Sequence, residues 1–188
     1  VAPILRTMPR FLELCSGTAV MSAKMRALGW ETVTVDIDER YKPDIVGDVT
    51  SMLRSFEPGG FDVVFGAPPC DDFTRWSMPW IENKSQPSMD VPIAVASIIH
   101  RINPKLWFVE NVNGAKSFFQ PLFGDVKFSY GRSWFLWGSN LGIKNVPVSV
   151  AGRNKENKNG SGLRRASYAP AMVDMVCEAI DRVYRGLV

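Results

Sequence analysis

The sequence predicts an α/β fold with a mostly parallel sheet and helices on both faces. Apolar runs of strand length alternate with stretches of helical periodicity, the pattern left by successive βαβ units. The strand-like runs also end in residues suited to chemistry: Ser16-Gly17, Asp36, Pro68-Pro69-Cys70 and Glu110-Asn111. An open parallel sheet collects its ligands beyond the carboxyl ends of its strands, so this placement and the fold class support each other. At 188 residues, 46% hydrophobic and 22% charged, the chain suits one compact domain with a sizeable core.

The first strand is expected at Phe11 to Leu14, followed by the small-residue turn Ser16-Gly17-Thr18 and a helix through Met21, Met25 and Leu28. Thr32 to Val35 forms a second strand that ends at Asp36. Ile45-Val46 leads into Gly47-Asp48 as a third, Phe61 to Phe65 makes a fourth, and Leu106 to Val109 a fifth that runs straight into Glu110-Asn111. Between the last two, Val91 to Ile102 has helical spacing and is expected to cover one sheet face. Residues 151–165 are rich in Gly, Asn, Lys and Arg; so few apolar side chains cannot offset the entropy of ordering, and a mobile loop is predicted, either solvated or touching nucleic acid. Pro170 then suits a first helical turn, and Met172, Val173, Val176, Ile180 and Val183 mark a closing amphipathic helix. No internal repeat or interdomain linker is evident.

Composition narrows the function classes. Three cysteines, Cys15, Cys70 and Cys177, lie far apart without Cys-x-x-Cys spacing, and there is one histidine, so neither a disulfide framework nor a zinc site is indicated. No apolar stretch approaches bilayer length, and the opening residues lack the order of a secretory signal, so a soluble, cytoplasmic protein is expected. The formal net charge of +3 is compatible with nucleic acid without pointing to it.

Two groups of residues carry the chemistry. Pro68-Pro69-Cys70 sets a thiol just past a strand on a turn stiffened by two prolines; the side chain is either an aimed nucleophile or a small buried hydrophobe. Glu110 has the same placement on a strand expected alongside, where partial desolvation would raise its pKa and let it hold a proton at neutral pH, unless it is paired with a basic residue such as Arg132. The second group is a ligand pocket. Ser16, Gly17 and Thr18 bring backbone amides near a helix N-terminus, and Asp36 stands about twenty positions on, where a carboxylate accepts from ribose hydroxyls. The full GxGxxG fingerprint is absent, which favours an adenosine-bearing cofactor over a dinucleotide. Asp48 either contacts the adenine amino group or caps a local turn.

Taken in order, Leu12-Glu13-Leu14-Cys15-Ser16-Gly17, Asp36, Gly47-Asp48-Val49-Thr50, Gly66-Ala67-Pro68-Pro69-Cys70 and Phe108-Val109-Glu110-Asn111-Val112 resemble the motifs of the cytosine-5 DNA methyltransferases. Arg165 to Ile180 is similar to the last motif of that family, and the stretch Gly131 to Gly138 is similar to its compact phage-type members. The resemblance implies a Rossmann-like S-adenosylmethionine-dependent methyltransferase fold and transfer of a methyl group to C5 of cytosine in double- or single-stranded DNA. It implies Cys70 as the nucleophile that adds to C6, Glu110 as the group that protonates N3, and Arg132 as a partner of the base carbonyl or of Glu110. Ser16, Gly17, Thr18, Asp36, Ile37, Asp48, Val49, Pro68 and Ser167 would hold S-adenosylmethionine.

The chain departs from the family pattern at Cys15, where an aromatic is usual, and at Ala19 and Val20, where glycines are usual. Asp71 and Asp72 follow the thiol and are expected to raise its pKa. About fifty residues between the Glu-Asn-Val and terminal motifs leave no room for a separate target-recognition domain, so residues 1–188 are expected to be one catalytic domain. Target reading then falls to short loops, among them Trp76 to Trp80 and Ala151 to Arg165, to a homodimer, or to an accessory subunit. Two alternatives stand beside this reading: a same-fold enzyme acting on RNA or a free pyrimidine nucleotide, and a catalytically silent nucleic-acid-binding relative.

Overall fold

The computed structural model describes residues 8–82, 84–147, 149 and 168–187. Its strands are β1 (Arg10–Leu14), β2 (Glu31–Asp36), β3 (Ile45–Val46), β4 (Val63–Gly66), β5 (Leu106–Asn111), β6 (Val126–Tyr130) and β7 (Trp134–Gly138). They form one seven-stranded sheet in the order β3-β2-β1-β4-β5-β7-β6. All pairings are parallel except those made by β7, which runs against both β5 and β6. The chain walks outward from β1 to β3 and then crosses back to β4. The strand order therefore reverses between β1 and β4, and the carboxyl ends of those two strands open a crevice.

The helices are α1 (Val20–Ala27), α2 (Asp71–Ser77), α3 (Asp90–Ile102), α4 (Lys116–Phe123) and α5 (Pro170–Tyr184). Strand residues alternate between two cores. Leu12, Leu14, Val64 and Val109 pack with Phe73 of α2, with Val95, Ile98 and Ile102 of α3, and with Phe119 of α4. Phe11, Val63, Phe65 and Phe108 pack on the other face with Met21 and Met25 of α1 and with Met172, Val176 and Ile180 of α5. Helices thus cover both faces, as the sequence pattern requires, and this is the mostly parallel, Rossmann-like arrangement expected of the chain. The apolar stripes of α3 and α5 are the cause: each places side chains at i, i+3 and i+4 against a sheet whose own residues alternate with period two. Pro170 opens α5 within its first turn, where its missing N–H costs nothing.

Three local features differ from the expected elements or add to them. The fourth strand starts at Val63, with Phe61 and Asp62 before it. The short loop expected over Trp76 to Trp80 overlaps the end of helix α2, which runs from Asp71 through Ser77 because Asp71 and Asp72 fall in its first turn and buried Phe73 anchors it. The chain between Val112 and Tyr130 forms α4 and β6, and the turn through Gly131 joins β6 to β7. The predicted loop at 151–165 lies outside the described residues, as does Ser167. Among the described residues no helix is long and apolar enough to cross a membrane.

Candidate active site

The crevice at the β1/β4 reversal begins with a tightly coiled turn. Cys15, Gly17 and Ala19 have φ of 57°, 48° and 53°, so three of five successive residues are left-handed. Glycine takes that conformation freely; cysteine and alanine do not. The turn is held by the Asp36 carboxylate, whose Oδ2 accepts from the Gly17 N–H at 2.7 Å while Oδ1 accepts from the Asp38 N–H at 2.9 Å. Each oxygen keeps acceptor capacity beyond that one bond. The next residue, Ile37, leaves an apolar side chain 68% exposed at the crevice mouth, and Ser16 Oγ is buried without a hydrogen-bond partner. A carboxylate, an open apolar surface and an unsatisfied hydroxyl are the complement of a ribose and its base, and these residues fit an adenosine moiety. Thr18 lies exposed within the same turn, two residues before α1.

Asp48 is exposed and accepts from the Thr50 N–H at 2.9 Å, which holds its carboxyl below the usual range and caps a short 3-10 turn. Of the two roles open to it from sequence, capping is therefore met. The Val49 side chain is 5% exposed and belongs to the core.

The second half of the site spans β4 and β5, which pair side by side with Gly66 opposite Val109. Pro68 is buried, Pro69 is exposed, and Cys70 sits exposed as the residue capping α2. Glu110, at the end of β5, is only 8% exposed. Burial pushes its carboxyl up to about 7, against a hydrogen bond that pulls it back. That bond comes from a residue the sequence had not singled out: the Tyr168 hydroxyl donates to Glu110 Oε2 at 2.7 Å. The Cys70 thiol is raised above its ordinary 9.0, first by desolvation, then by the Glu110 and Asp71 carboxyls. Thiol and carboxyl are thus near enough to feel one another, and the expected influence of Asp71 is present behind two larger causes. By contrast, burial and the charges of Asp36 and Asp48 push Cys15 up to about 12, and Cys177 is fully buried. Cys70 is the exposed thiol of the three.

Two contacts lock the Cys70 turn onto β5. Fully buried Asn111 donates from Nδ2 to the Pro68 carbonyl at 2.9 Å, and its Oδ1 accepts from the Val112 N–H. Farther along, Gly114 lies so close to α2 that a Cβ on it would stand 2.1 Å from the Phe73 carbonyl oxygen. Neither contact was legible in the order of residues. Arg132 lies exposed in the turn between β6 and β7. Because Phe135 of β7 pairs with Asn111, that turn shares the edge on which Glu110 ends. Among the described residues, Tyr168 and not Arg132 supplies the hydrogen bond to Glu110, since the chain entering α5 passes directly over that carboxyl.

No family model matches the chain. Over 69 residues, 35% of its length, it is 42% identical to a protein of Frog virus 3 (isolate Goorha) described as a "Probable DNA (cytosine-5)-methyltransferase". The match is distant and partial. It spans 31% of the length of that viral protein. A solved E. coli structure of a "putative DNA modification methyltransferase encoded within prophage" shares 15% identity and a TM-score of 0.45 with it, over 71% of this chain and 47% of that one. That likeness is too loose to carry an argument.

Proposed function

We propose that the chain is an S-adenosylmethionine-dependent methyltransferase that modifies C5 of cytosine in DNA through a covalent bond between Cys70 and C6. The observation that carries the reading is the pairing of one exposed thiol with one buried, partly protonated carboxyl across adjacent strand ends, beside a crevice suited to adenosine. The partial match to the viral protein supports cytosine and DNA as the substrate.

Cytosine C5 is a weak nucleophile in the aromatic ring. Attack of the Cys70 thiolate on C6, with a proton delivered from Glu110 to N3, turns C5 into an enamine-type carbon. S-adenosylmethionine, when bound, supplies the electrophilic methyl group. Ser16, Gly17, Thr18, Asp36 and Ile37 would hold its adenosine, with Asp48, the Val49 backbone and Pro68 as further contacts. Loss of the C5 proton to solvent and departure of the thiolate then restore the ring, and the proton on N3 returns to Glu110. In this reading Arg132, exposed in the β6–β7 turn, would meet the carbonyl side of the base. In a duplex the base must leave the stack, at a cost of a few kcal/mol, roughly, that pocket contacts offset. Residues 1–188 act in this reading as one catalytic domain.

Covalent capture tests the proposal. Incubation with S-adenosylmethionine and an oligonucleotide carrying 5-fluorocytosine should give a stable protein–DNA adduct, since the fluorine blocks the final elimination. Cys70→Ala should give none. An adduct or methyl transfer found only with RNA or a free nucleotide would replace the DNA assignment, and none with any of the three would overturn the enzymatic one.

A further inference from the structure

Tyr168 stands at the entrance to α5, two residues before Pro170, and its hydroxyl donates to Oε2 of Glu110 at 2.7 Å. Its ring is held edge-on against Trp134 at the start of β7, with centroids 6.0 Å apart and planes at 84°. The groups that face this pair come from three other elements. Cys70 approaches from the head of α2, the buried carboxyl of Glu13 from β1, and Trp134 from β7. Glu13 is itself engaged by the Ser22 N–H of α1 at 2.8 Å. A phenol enclosed by two carboxyls and a thiol keeps its proton, so toward Glu110 it acts as a donor only.

We propose that Tyr168 is a positioning residue that occupies Oε2 of Glu110 and thereby leaves Oε1 to carry the proton delivered to the base. This rests on the cytosine reading given above. As Sγ of Cys70 bonds to C6, the C5–C6 π pair shifts toward C4 and the C4–N3 pair moves onto N3, which takes the proton from Oε1. Glu110 is left as a carboxylate that still accepts from Tyr168. At the end of the cycle the N3 proton returns to the same oxygen. The phenol also steadies the charged form, which opposes the burial of Glu110 and keeps the carboxyl able to give its proton up.

Tyr168→Phe keeps the ring packed on Trp134 and removes only the donor. Infrared titration of the protonated carboxyl band, assigned by its loss in Glu110→Gln, should place the Glu110 midpoint near 7 in the parent protein and higher in Tyr168→Phe. Cys70 ionises above Glu110, so the reactive pairing of thiolate with protonated carboxyl is a minority form, and the acid limb of the kcat/KM profile follows Glu110. That limb should move upward with the midpoint. Meanwhile kcat should fall about tenfold at unchanged KM, part of the roughly 10²- to 10⁴-fold that a positioned acid supplies. A variant with midpoint and acid limb both in their parent positions overturns the role of Tyr168. If the parent protein transfers no methyl group, the cytosine reading fails instead, while the infrared midpoint still decides whether Tyr168 governs Glu110.

Discussion

Gly114→Ala is the substitution whose effect can be worked most directly from the structure. The added Cβ would stand 2.1 Å from the Phe73 carbonyl oxygen, 2.9 Å from its carbonyl carbon and 3.1 Å from Ser77 Cβ. Two of the three neighbours are backbone of α2, so no side chain can swing away to relieve the clash. Ordinary contact requires the two segments to part by about 1 Å, and overpacking of this kind costs roughly 1–3 kcal/mol. Helix α2 is short and carries Cys70 at its head, so its displacement moves the thiol relative to Glu110 by a comparable distance. A misplacement of that size in a reacting group is worth about 100-fold in rate. Urea denaturation should show the stability loss, and methyl transfer to DNA the loss of turnover. Alkylation of Cys70 by iodoacetamide in the folded variant would show that the thiol is present and reachable. Turnover within about twofold of the parent, with stability unchanged, would refute the view that Gly114 sets the distance between thiol and carboxyl.

The remaining expectations concern the two halves of the site. Ala19→Gly relieves a left-handed alanine that costs about 1–2 kcal/mol, of which part is returned as unfolded-chain freedom; a net gain of about 0.5–1 kcal/mol in urea denaturation is expected. Asn111→Ala strips the buried Pro68 carbonyl of its donor and the Val112 N–H of its acceptor, which should cost roughly 2–4 kcal/mol and slow adduct formation at Cys70. Glu13 is buried and its carboxyl rises from 4.5 to about 7, chiefly by desolvation. The folded state therefore keeps a proton that the unfolded chain loses, and stability falls as pH rises through that window, by roughly 3 kcal/mol for this group. Glu13→Gln should match the parent near pH 4.5 and exceed it by about that amount at pH 8. Denaturation midpoints at the two pH values measure the difference, and equal offsets at both would count against a neutral Glu13.

Much of this site could be read from residue order because strand ends are local signals. The apolar run before Pro68-Pro69-Cys70 and the one before Glu110-Asn111 each mark a buried strand, and the reactive residue follows the run directly. The same logic placed Asp36 at the end of β2, and the structure puts its carboxylate on the Gly17 amide. Short elements were harder. Helix α2 is only seven residues long, and α4 holds a proline inside its eight, so neither carries a clear helical pattern in the sequence. The partner of Glu110 was harder still. A glutamate suggests a basic partner, and Arg132 lies nearby in sequence, whereas Tyr168 is 58 positions away.

The sequence by itself determined the five parallel strands, the two amphipathic helices that cover them most fully, and the set of strand ends at which chemistry collects, because burial of alternating and 3.6-periodic apolar residues leaves few other solutions; the antiparallel β6 and β7 emerged only with the tertiary structure. Only the tertiary structure decided which groups touch. Tyr168 reaches Glu110 because α5 packs across the β1–β4–β5 face, Asn111 reaches Pro68 because β4 and β5 pair in one register, and Gly114 admits α2 because no side chain stands between them. Such contacts depend on distances of an ångström between segments far apart along the chain, which hydrophobic pattern does not encode.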